Sequence, residues 1–187
     1  RHVGTRRRLL LRKSADGGRS WGPARILNAL DSHCPRLSVH ADGLITLVDD
    51  VGGELYLSAD HGANWAMQTG NGFTHGLRDR ILELAPEVWF TTGHAHRGSQ
   101  PQPKIRQAPA EQMCYLSKNR GRTWQAYSTI AYEKCLVLCE ASVIRLPALP
   151  DASSGAPGET PPRLLALMRE NSFVGEPMYF CTSADGG

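Results

Sequence analysis

Two charged residues stand where the surrounding sequence is apolar. Glu140 lies inside the run from Cys135 to Val143, where an ionised carboxylate is costly unless it has a partner or a chemical task. Arg169 ends the apolar run from Leu164 to Met168, and a planar guanidinium, unlike an ammonium group, can bind a carboxylate through two parallel hydrogen bonds. We therefore take Glu140 and Arg169 as the first candidates for a functional site.

Both residues also have a purely structural explanation. Glu140 could lie at a strand edge in contact with water, and Arg169 could form a surface ion pair with Glu170 or Glu176. Such surface pairs are common and contribute little to stability.

A second group of candidates lies between Thr92 and Arg97. His94 and His96 are two positions apart, so on a strand both side chains face the same side and could bind a metal ion. Because the sequence offers no evident third ligand, we favour a polar loop beside a cleft, in which His94 or Arg97 contacts the hydroxyl groups of a substrate. Glu111 is a weaker candidate for lining the same cleft.

The elements that must position these residues come from a repeated motif, S-x-D/N-x-G-x-x-W. It begins at Ser14, Ser58 and Ser117, and a fourth copy that begins at Ser183 stops at its glycine. An Asp or Asn side chain can accept hydrogen bonds from backbone amides a residue or two on, and glycine supplies a positive φ. The tryptophan can pack over the turn. Recurrence of the same positions argues against isolated hairpin turns.

Short segments with a β-strand pattern surround each copy of the motif. One segment precedes each copy, one follows it, and two more lie upstream of each later copy. The segments before the motifs are 8–12, 54–57, 112–116 and 177–181, and the upstream pairs are 36–39 with 44–48, 80–84 with 88–92, and 141–145 with 164–168. Each repeat is thus predicted to contain four strands, with the motif between the third and the fourth.

The motifs are spaced by 44, 59 and 66 residues, which fits four-stranded propeller blades of roughly 40 to 50 residues with insertions in the longer two. We place the insertions at Gly98 to Pro109, between the second and third strands, and at Pro147 to Pro162, between the first and second strands. No convincing helical period appears, so we predict an all-β fold.

The predicted fold class is a β-propeller of four-stranded antiparallel blades, of which about three and a half are present. An open propeller leaves unpaired strand edges at both ends. We therefore expect residues 1–187 to form a single partial propeller domain that is truncated at both ends.

Composition narrows the class of protein. Of 187 residues, 41% are hydrophobic and 21% are charged, which is typical of globular domains. The net charge of +3 is small and its basic residues are spread out, so nucleic-acid binding is not indicated. No apolar run approaches the roughly 18 to 20 residues of a membrane span. The five cysteines match no zinc-binding spacing, and we expect them to be buried free thiols.

The motif and its strand context resemble the Asp box, or bacterial-neuraminidase repeat, of the six-bladed sialidase superfamily. The resemblance covers essentially the whole chain, and the third copy departs from it by carrying Asn119 in place of Asp. Asn can make the same local hydrogen bond. Asp boxes specify architecture rather than activity, because in that superfamily they lie on the outer rim and also occur in sorting receptors and in other glycosidases.

The same resemblance implies roles for the two first candidates. Residues 139–144 and 164–171 are similar to the family segments that carry a glutamate at the start of one strand and an arginine at the end of the next. On this resemblance Glu140 is the base for a tyrosine nucleophile, and Arg169 is one of three arginines that bind the sugar carboxylate. The tyrosine, the aspartate acid/base and the other arginines are expected outside this chain, which alone should be inactive.

The implied function is that of a retaining exo-α-sialidase, which removes terminal sialic acid or a related acidic sugar from a glycoconjugate. Its substrate partner is a sialylated glycan, and no metal or organic cofactor is expected. The resemblance favours a secreted or extracytoplasmic location. One alternative is a non-catalytic Asp-box propeller that binds glycans or protein ligands.

A further alternative is a propeller glycosidase that uses two carboxylates. It predicts a second acidic residue facing Glu140 across the central channel. Asp49 and Asp50 end the corresponding second strand of the preceding repeat, and we expect them to face that channel.

Overall fold

The computed structural model describes residues 9–28, 34–50, 54–76, 78–98, 107–147 and 161–187. These residues form thirteen β-strands and no helix. The strands are β1 (Leu9–Leu11), β2 (Arg25–Asn28), β3 (Arg36–Val39), β4 (Ile45–Val48), β5 (Glu54–Ser58), β6 (Ala66–Thr69), β7 (Leu82–Ala85), β8 (Val88–His96), β9 (Ala110–Ser117), β10 (Gln125–Tyr132), β11 (Leu138–Arg145), β12 (Leu164–Glu170) and β13 (Tyr179–Ser183).

The strands form four sheets that follow the order of the chain. Strands β1–β2 form a two-stranded sheet, β3–β6 and β7–β10 form four-stranded sheets, and β11–β13 form a three-stranded sheet. Within each sheet, consecutive strands pair antiparallel. Such meanders are the blades of a β-propeller, so the predicted fold class is confirmed. We call the sheets blades 1 to 4 in chain order.

Both predicted insertions connect the expected strands. The first follows the end of β8 at His96 and precedes β9 at Ala110, and the second follows β11 at Arg145 and precedes β12 at Leu164. Most of each insertion, residues 99–106 and 148–160, lies outside the described residues.

The third Asp box shows how the motif closes its turn. The Ser117 hydroxyl accepts hydrogen bonds from the amides of Asn119 at 3.3 Å and Gly121 at 2.8 Å. The Asn119 side-chain oxygen accepts from the Thr123 amide at 2.9 Å, four residues on rather than the predicted one or two. Ser117 thus accepts from the nearer amides. Asn119 takes the position that Asp60 has in the second box, where Oδ1 of Asp60 accepts a hydrogen bond from the Asn64 amide at 2.8 Å.

The box tryptophan of blade 3 joins two blades. Trp124 donates from its indole nitrogen to the Gly121 carbonyl at 3.0 Å. Its ring belongs to a buried cluster that includes Leu55 of blade 2 and Trp89 of blade 3. Gly121 has a φ of +78°, and an added Cβ there would lie 2.8 Å from the Leu55 side chain. The motif therefore fixes the contact between neighbouring blades as well as its own turn.

The cysteines follow the sequence expectation only in part. No disulfide is present among the described cysteines. Cys114 and Cys139 are buried, and this burial raises the pKa of each thiol to about 11, which makes both unreactive near neutral pH. Cys135 is exposed, so the expectation of burial is wrong there. In the described segments, no helix has the length and apolar character of a membrane span.

Replacement of the box tryptophans tests the inter-blade role. Trp124 is 4% exposed and Trp21, at the same motif position in the first box, is 59% exposed. We expect Trp124→Ala to lower the free energy of unfolding by roughly 3 to 5 kcal/mol and Trp21→Ala to lower it by less than about 1 kcal/mol. Urea unfolding followed by far-UV circular dichroism measures both, and equal losses would contradict the assignment.

Candidate functional site

The candidate residues lie at one end of the blades, opposite the Asp boxes. Strands β5, β9 and β13 run into the boxes, whereas β4, β8 and β12 run antiparallel to them. The side chains that follow or end β4, β8 and β12 therefore reach the same end. We call this end the cleft face; it carries Asp50, His94 and Arg169.

A groove of about 310 Å³ on the cleft face spans three blades. Its lining consists of Cys34, Arg36 and Asp50 from blade 2, Arg78 and Asp79 from the segment before β7, and Glu140, Ala141 and Arg169 from blade 4. We call it the arginine groove. Three guanidinium and three carboxylate groups line it, so it can bind a small ligand that carries both negative charge and hydroxyl groups.

Glu140 has a strained backbone. Its φ is +51°, and the pairing of β11 with β12 shifts register between Cys139 and Ser142, which marks a β-bulge. A left-handed conformation costs a non-glycine residue on the order of 1 kcal/mol, and bulges redirect side chains at functional sites. Here the bulge directs a carboxylate out of an apolar strand and into the arginine groove. This explains how the charge is tolerated in that run.

Arg169 is the partner of this carboxylate. Its Nη1 donates to Oε1 and Oε2 of Glu140 at 3.2 and 3.0 Å, and its Nη2 donates to Oδ1 of Asn171 at 3.2 Å. The hydrogen bond with Glu140 raises the pKa of Arg169. The two side chains of the pair are 51% and 39% exposed. An ion pair this exposed adds little to stability, so a ligand can compete for it at low cost.

Two further arginines line the groove from other blades. The Nε of Arg36 lies 3.8 Å from Oδ1 of Asp79, and its side chain is 43% exposed. Arg78 is buried; its Nη2 donates to the Asp49 carbonyl at 3.2 Å, and its guanidinium lies 4.5 Å from the centre of the Phe73 ring. Burial lowers the pKa of Arg78. Arg36 can therefore reach a ligand, whereas Arg78 supports the groove from beneath.

His94 lies on a strand and not on the predicted loop. It is a buried residue of β8, and its Nδ1 accepts a hydrogen bond from the Glu140 amide at 3.3 Å. Burial lowers the pKa of His94 to about 4, and the charge of His96 contributes in the same direction. His96 is exposed, and its Nδ1 lies 2.6 Å from the Ala108 carbonyl. The described residues contain no group of three or more His, Cys, Asp or Glu side chains placed to hold a metal.

Glu111 and Arg97 belong to a separate network. Glu111 is buried; its Oε2 lies 3.1 Å from Nε2 of His75, and its Oε1 accepts from the Thr129 hydroxyl at 3.1 Å. Arg97 forms an ion pair with the same carboxylate. His75 in turn lies 2.8 Å from the Tyr115 hydroxyl. These contacts link the end of β8 to the start of β9.

The structure thus separates the predicted site residues into two clusters. It brings Glu140, Arg169 and His94 into direct contact. It places Arg97 and Glu111 in the neighbouring network, outside the lining of the arginine groove.

Sequence reasoning missed the residues that enter the groove from blades 2 and 3. Arg36 is the first residue of β3, and Arg78 and Asp79 lie shortly before β7. Both places correspond to the entry of a blade, but an arginine at or before the start of a strand carries no functional signal of its own in the sequence. Asp50, which was expected to face the channel, does line the groove.

Comparison with known proteins identifies the fold. No family model matches the chain, and no curated protein does. A solved structure of unknown function from Dyadobacter fermentans is 18% identical with a TM-score of 0.70, covering 100% of this chain and 57% of its own. The NanB sialidase of Streptococcus pneumoniae is 15% identical with a TM-score of 0.53, covering 92% of this chain and 28% of its own. An α-L-arabinanase of Penicillium chrysogenum is 16% identical with a TM-score of 0.55. This match covers 81% of this chain and 45% of the arabinanase chain.

At these identities the likeness concerns the fold alone. The chain has the fold of part of a β-propeller, and this propeller is shared by glycosidases that act on different sugars. The chain spans 57%, 28% and 45% of the three matched chains. Sialic acid is not singled out by the comparison.

Replacement of Glu140 tests the backbone strain. Glu140→Gly and Glu140→Ala both remove the carboxylate, but only glycine adopts a φ of +51° without cost. We expect the glycine variant to be more stable than the alanine variant by about 1 kcal/mol. Chemical denaturation of both variants measures the difference. An alanine variant that is equally stable would show that Glu140 is not strained.

The low pKa of His94 predicts a pH dependence of stability. His94 has a folded-state pKa of about 4 and an ordinary value of 6.5, so between these values the unfolded chain binds more protons. The contribution of neutral His94 to the free energy of unfolding is therefore fully present above about pH 6.5. It falls as the pH is lowered toward 4, by on the order of 1 kcal/mol per pH unit. His94→Gln should flatten this slope in urea unfolding between pH 4.5 and 6. An unchanged slope would exclude His94 as its source.

Proposed function

We propose that the intact protein is a retaining, sialidase-type glycoside hydrolase that removes terminal sialic acid, or a related acidic sugar, from glycoconjugates. The observation that carries this proposal is the contact between Glu140 and Arg169 in a groove that two other blades also line. Nη1 of Arg169 lies 3.0 Å from Oε2 of Glu140, and Arg36 of blade 2 lines the same groove.

The pair suits a carboxylate-bearing sugar. Only Nη1 of Arg169 contacts Glu140, and its Nη2 contacts the neutral side chain of Asn171. A substrate carboxylate can accept hydrogen bonds from both Nη1 and Nη2 of Arg169 in the planar fork geometry. Arg169 then leaves Glu140 as its ion-pair partner, and the Glu140 carboxylate becomes available to accept a proton. Substrate binding and base activation are thereby coupled in one exchange of partners.

The proposed chemistry needs a base for a tyrosine nucleophile. A phenol with a pKa near 10 attacks an anomeric carbon poorly unless a carboxylate accepts its proton. Glu140 would accept that proton as the tyrosine oxygen bonds to the anomeric carbon, while an aspartic acid protonates the oxygen of the leaving group. Water then hydrolyses the resulting tyrosyl glycoside. The tyrosine, the aspartate and two of the three carboxylate-binding arginines belong to the proposal as residues outside this chain.

A second candidate function is a glycosidase that uses two carboxylates. It is favoured by the presence of Asp50 and Asp79 in the same groove as Glu140, because paired carboxyl groups across a groove provide an acid and a base for a neutral sugar. Asp50→Asn separates the two candidates: it should abolish turnover of a neutral glycoside in the second and leave turnover of a sialoside largely intact in the first.

Hydrolysis of a chromogenic sialoside by the intact protein tests the first candidate. We expect Glu140→Gln to lower kcat by at least about 100-fold, since the base is lost. Arg169→Lys should lower kcat/KM by about 100-fold although the charge is kept, because the fork geometry is lost. Arg145→Lys is the matched control. Arg145 lies on the strand that pairs with that of Arg169, and its Nη1 donates to the Leu84 carbonyl at 3.3 Å, outside the lining of the arginine groove.

The outcomes separate the hypotheses. Unchanged kinetics in Arg169→Lys would remove Arg169 from the site. A folded wild-type protein that hydrolyses no sialoside would refute sialidase activity and favour a neutral-sugar glycosidase or a propeller that only binds glycans or proteins.

A further inference from the structure

Three buried polar side chains of blade 3 face the first strand of blade 4. Thr92 and His94 lie two positions apart on β8, and Gln112 of β9 pairs directly with His94. Residues so placed share one face of a sheet. Their exposed fractions are 1%, 5% and 0%. Polar groups buried this deeply in an inter-blade contact need partners there.

All three side chains bind main-chain atoms around the Glu140 bulge. Nε2 of Gln112 donates to the Leu138 carbonyl at 3.3 Å. The Glu140 amide donates to Nδ1 of His94 at 3.3 Å. The Thr92 hydroxyl donates to the Ala141 carbonyl at 3.4 Å. These backbone groups lie at or beside the break in the β11–β12 register, where partners from the neighbouring strand are interrupted.

We propose that Thr92, His94 and Gln112 form a cradle that holds the Glu140 backbone in its left-handed conformation and so sets the carboxylate against Arg169. His94 is the central positioning residue, because it contacts the amide of Glu140 itself. The cradle itself concerns only the geometry of the backbone at Glu140. Its catalytic consequence rests on the proposed function.

The chemistry of His94 suits this role. Nδ1 can accept a hydrogen bond only when the imidazole is neutral and carries its proton on Nε2. Burial, together with the charges of His96 and His75, favours the neutral ring, whereas Glu140 and Asp50 oppose this effect. The net result is a pKa of about 4, so the acceptor is present throughout the neutral range.

A glycine fixes the other side of the cradle. An added Cβ at Gly93 would lie 3.0 Å from the Gly76 carbonyl oxygen and 3.3 Å from Cβ of His75. The His94 amide donates to that same Gly76 carbonyl at 2.9 Å. The absence of a side chain at Gly93 therefore allows β8 to approach the segment before β7, and this contact anchors the backbone of His94.

Amide hydrogen exchange of the intact protein tests the cradle without any measurement of activity. In His94→Ala the Glu140 amide should exchange at least about tenfold faster, since its buried acceptor is gone. The Val143 amide, which donates to Oδ2 of Asp79 at 3.1 Å, should keep its rate. His94→Gln, whose side-chain oxygen can accept, should restore part of the protection.

His96→Ala is the matched control, because it removes the same ring two positions along β8, where the ring contacts Ala108 instead of Glu140. It should leave the exchange of Glu140 unchanged. An unaltered Glu140 rate in His94→Ala would overturn the cradle. So would an equal acceleration at Val143, which would indicate a general loss of stability.

Kinetics of the intact protein test the catalytic consequence. His94→Ala should lower kcat toward the chromogenic sialoside by about 10- to 100-fold with little change in KM, because a small displacement of a reacting group is costly. A variant with wild-type kcat would overturn the positioning role. If the wild-type protein hydrolyses no sialoside, the proposed function fails, and the exchange rates still decide whether the cradle exists.

Discussion

The cleft face depends on the contact between blades 3 and 4. Glu140 has a φ of +51°, a conformation that its own sequence does not favour. Hydrogen bonds that Thr92 and Gln112 donate to the backbone of β11, and that His94 accepts from it, compensate for this cost. Without blade 3 beside it, β11 would relax toward a regular ladder with β12. The Glu140 carboxylate would then leave the strand in a different direction from the one it has now.

The two ends of the blades serve different purposes. At the box end, Ser117, Asn119 and Trp124 satisfy their own turn and pack one blade on the next. At the cleft end, polar and charged side chains replace the apolar contacts, and a strained residue is tolerated. The stability supplied by the boxes and the inter-blade clusters offsets the cost of this polar end. Mutations at the box end should therefore act on stability, whereas mutations at the cleft end should act on the geometry of the site as well.

The sequence allowed the blades to be predicted because the motif repeats with four strand-like segments around it. It did not allow the end of β8 beyond Thr92 to be predicted, since Gly93 to His96 lacks the apolar alternation of a half-buried strand. The polar groups buried there are satisfied by hydrogen bonds instead. The bulge was also invisible, because nothing marks a positive φ at a glutamate. Glu140 and Arg169 were marked by their charge within or beside apolar runs, and the family resemblance supplied the roles expected of them. Arg36 was missed because a lone arginine at the start of a strand is unremarkable in sequence.

The most direct test of the proposed site is a crystal structure of the intact protein with an unsaturated sialic acid analogue that mimics the flattened ring of the transition state. We expect both carboxylate oxygens of the analogue to bind Arg169 in the fork geometry, with the Glu140 carboxylate displaced from its contact with Nη1 of Arg169, now 3.0 Å. A bound analogue that leaves the Glu140–Arg169 contact intact, or that occupies another surface, would contradict the proposed exchange of partners.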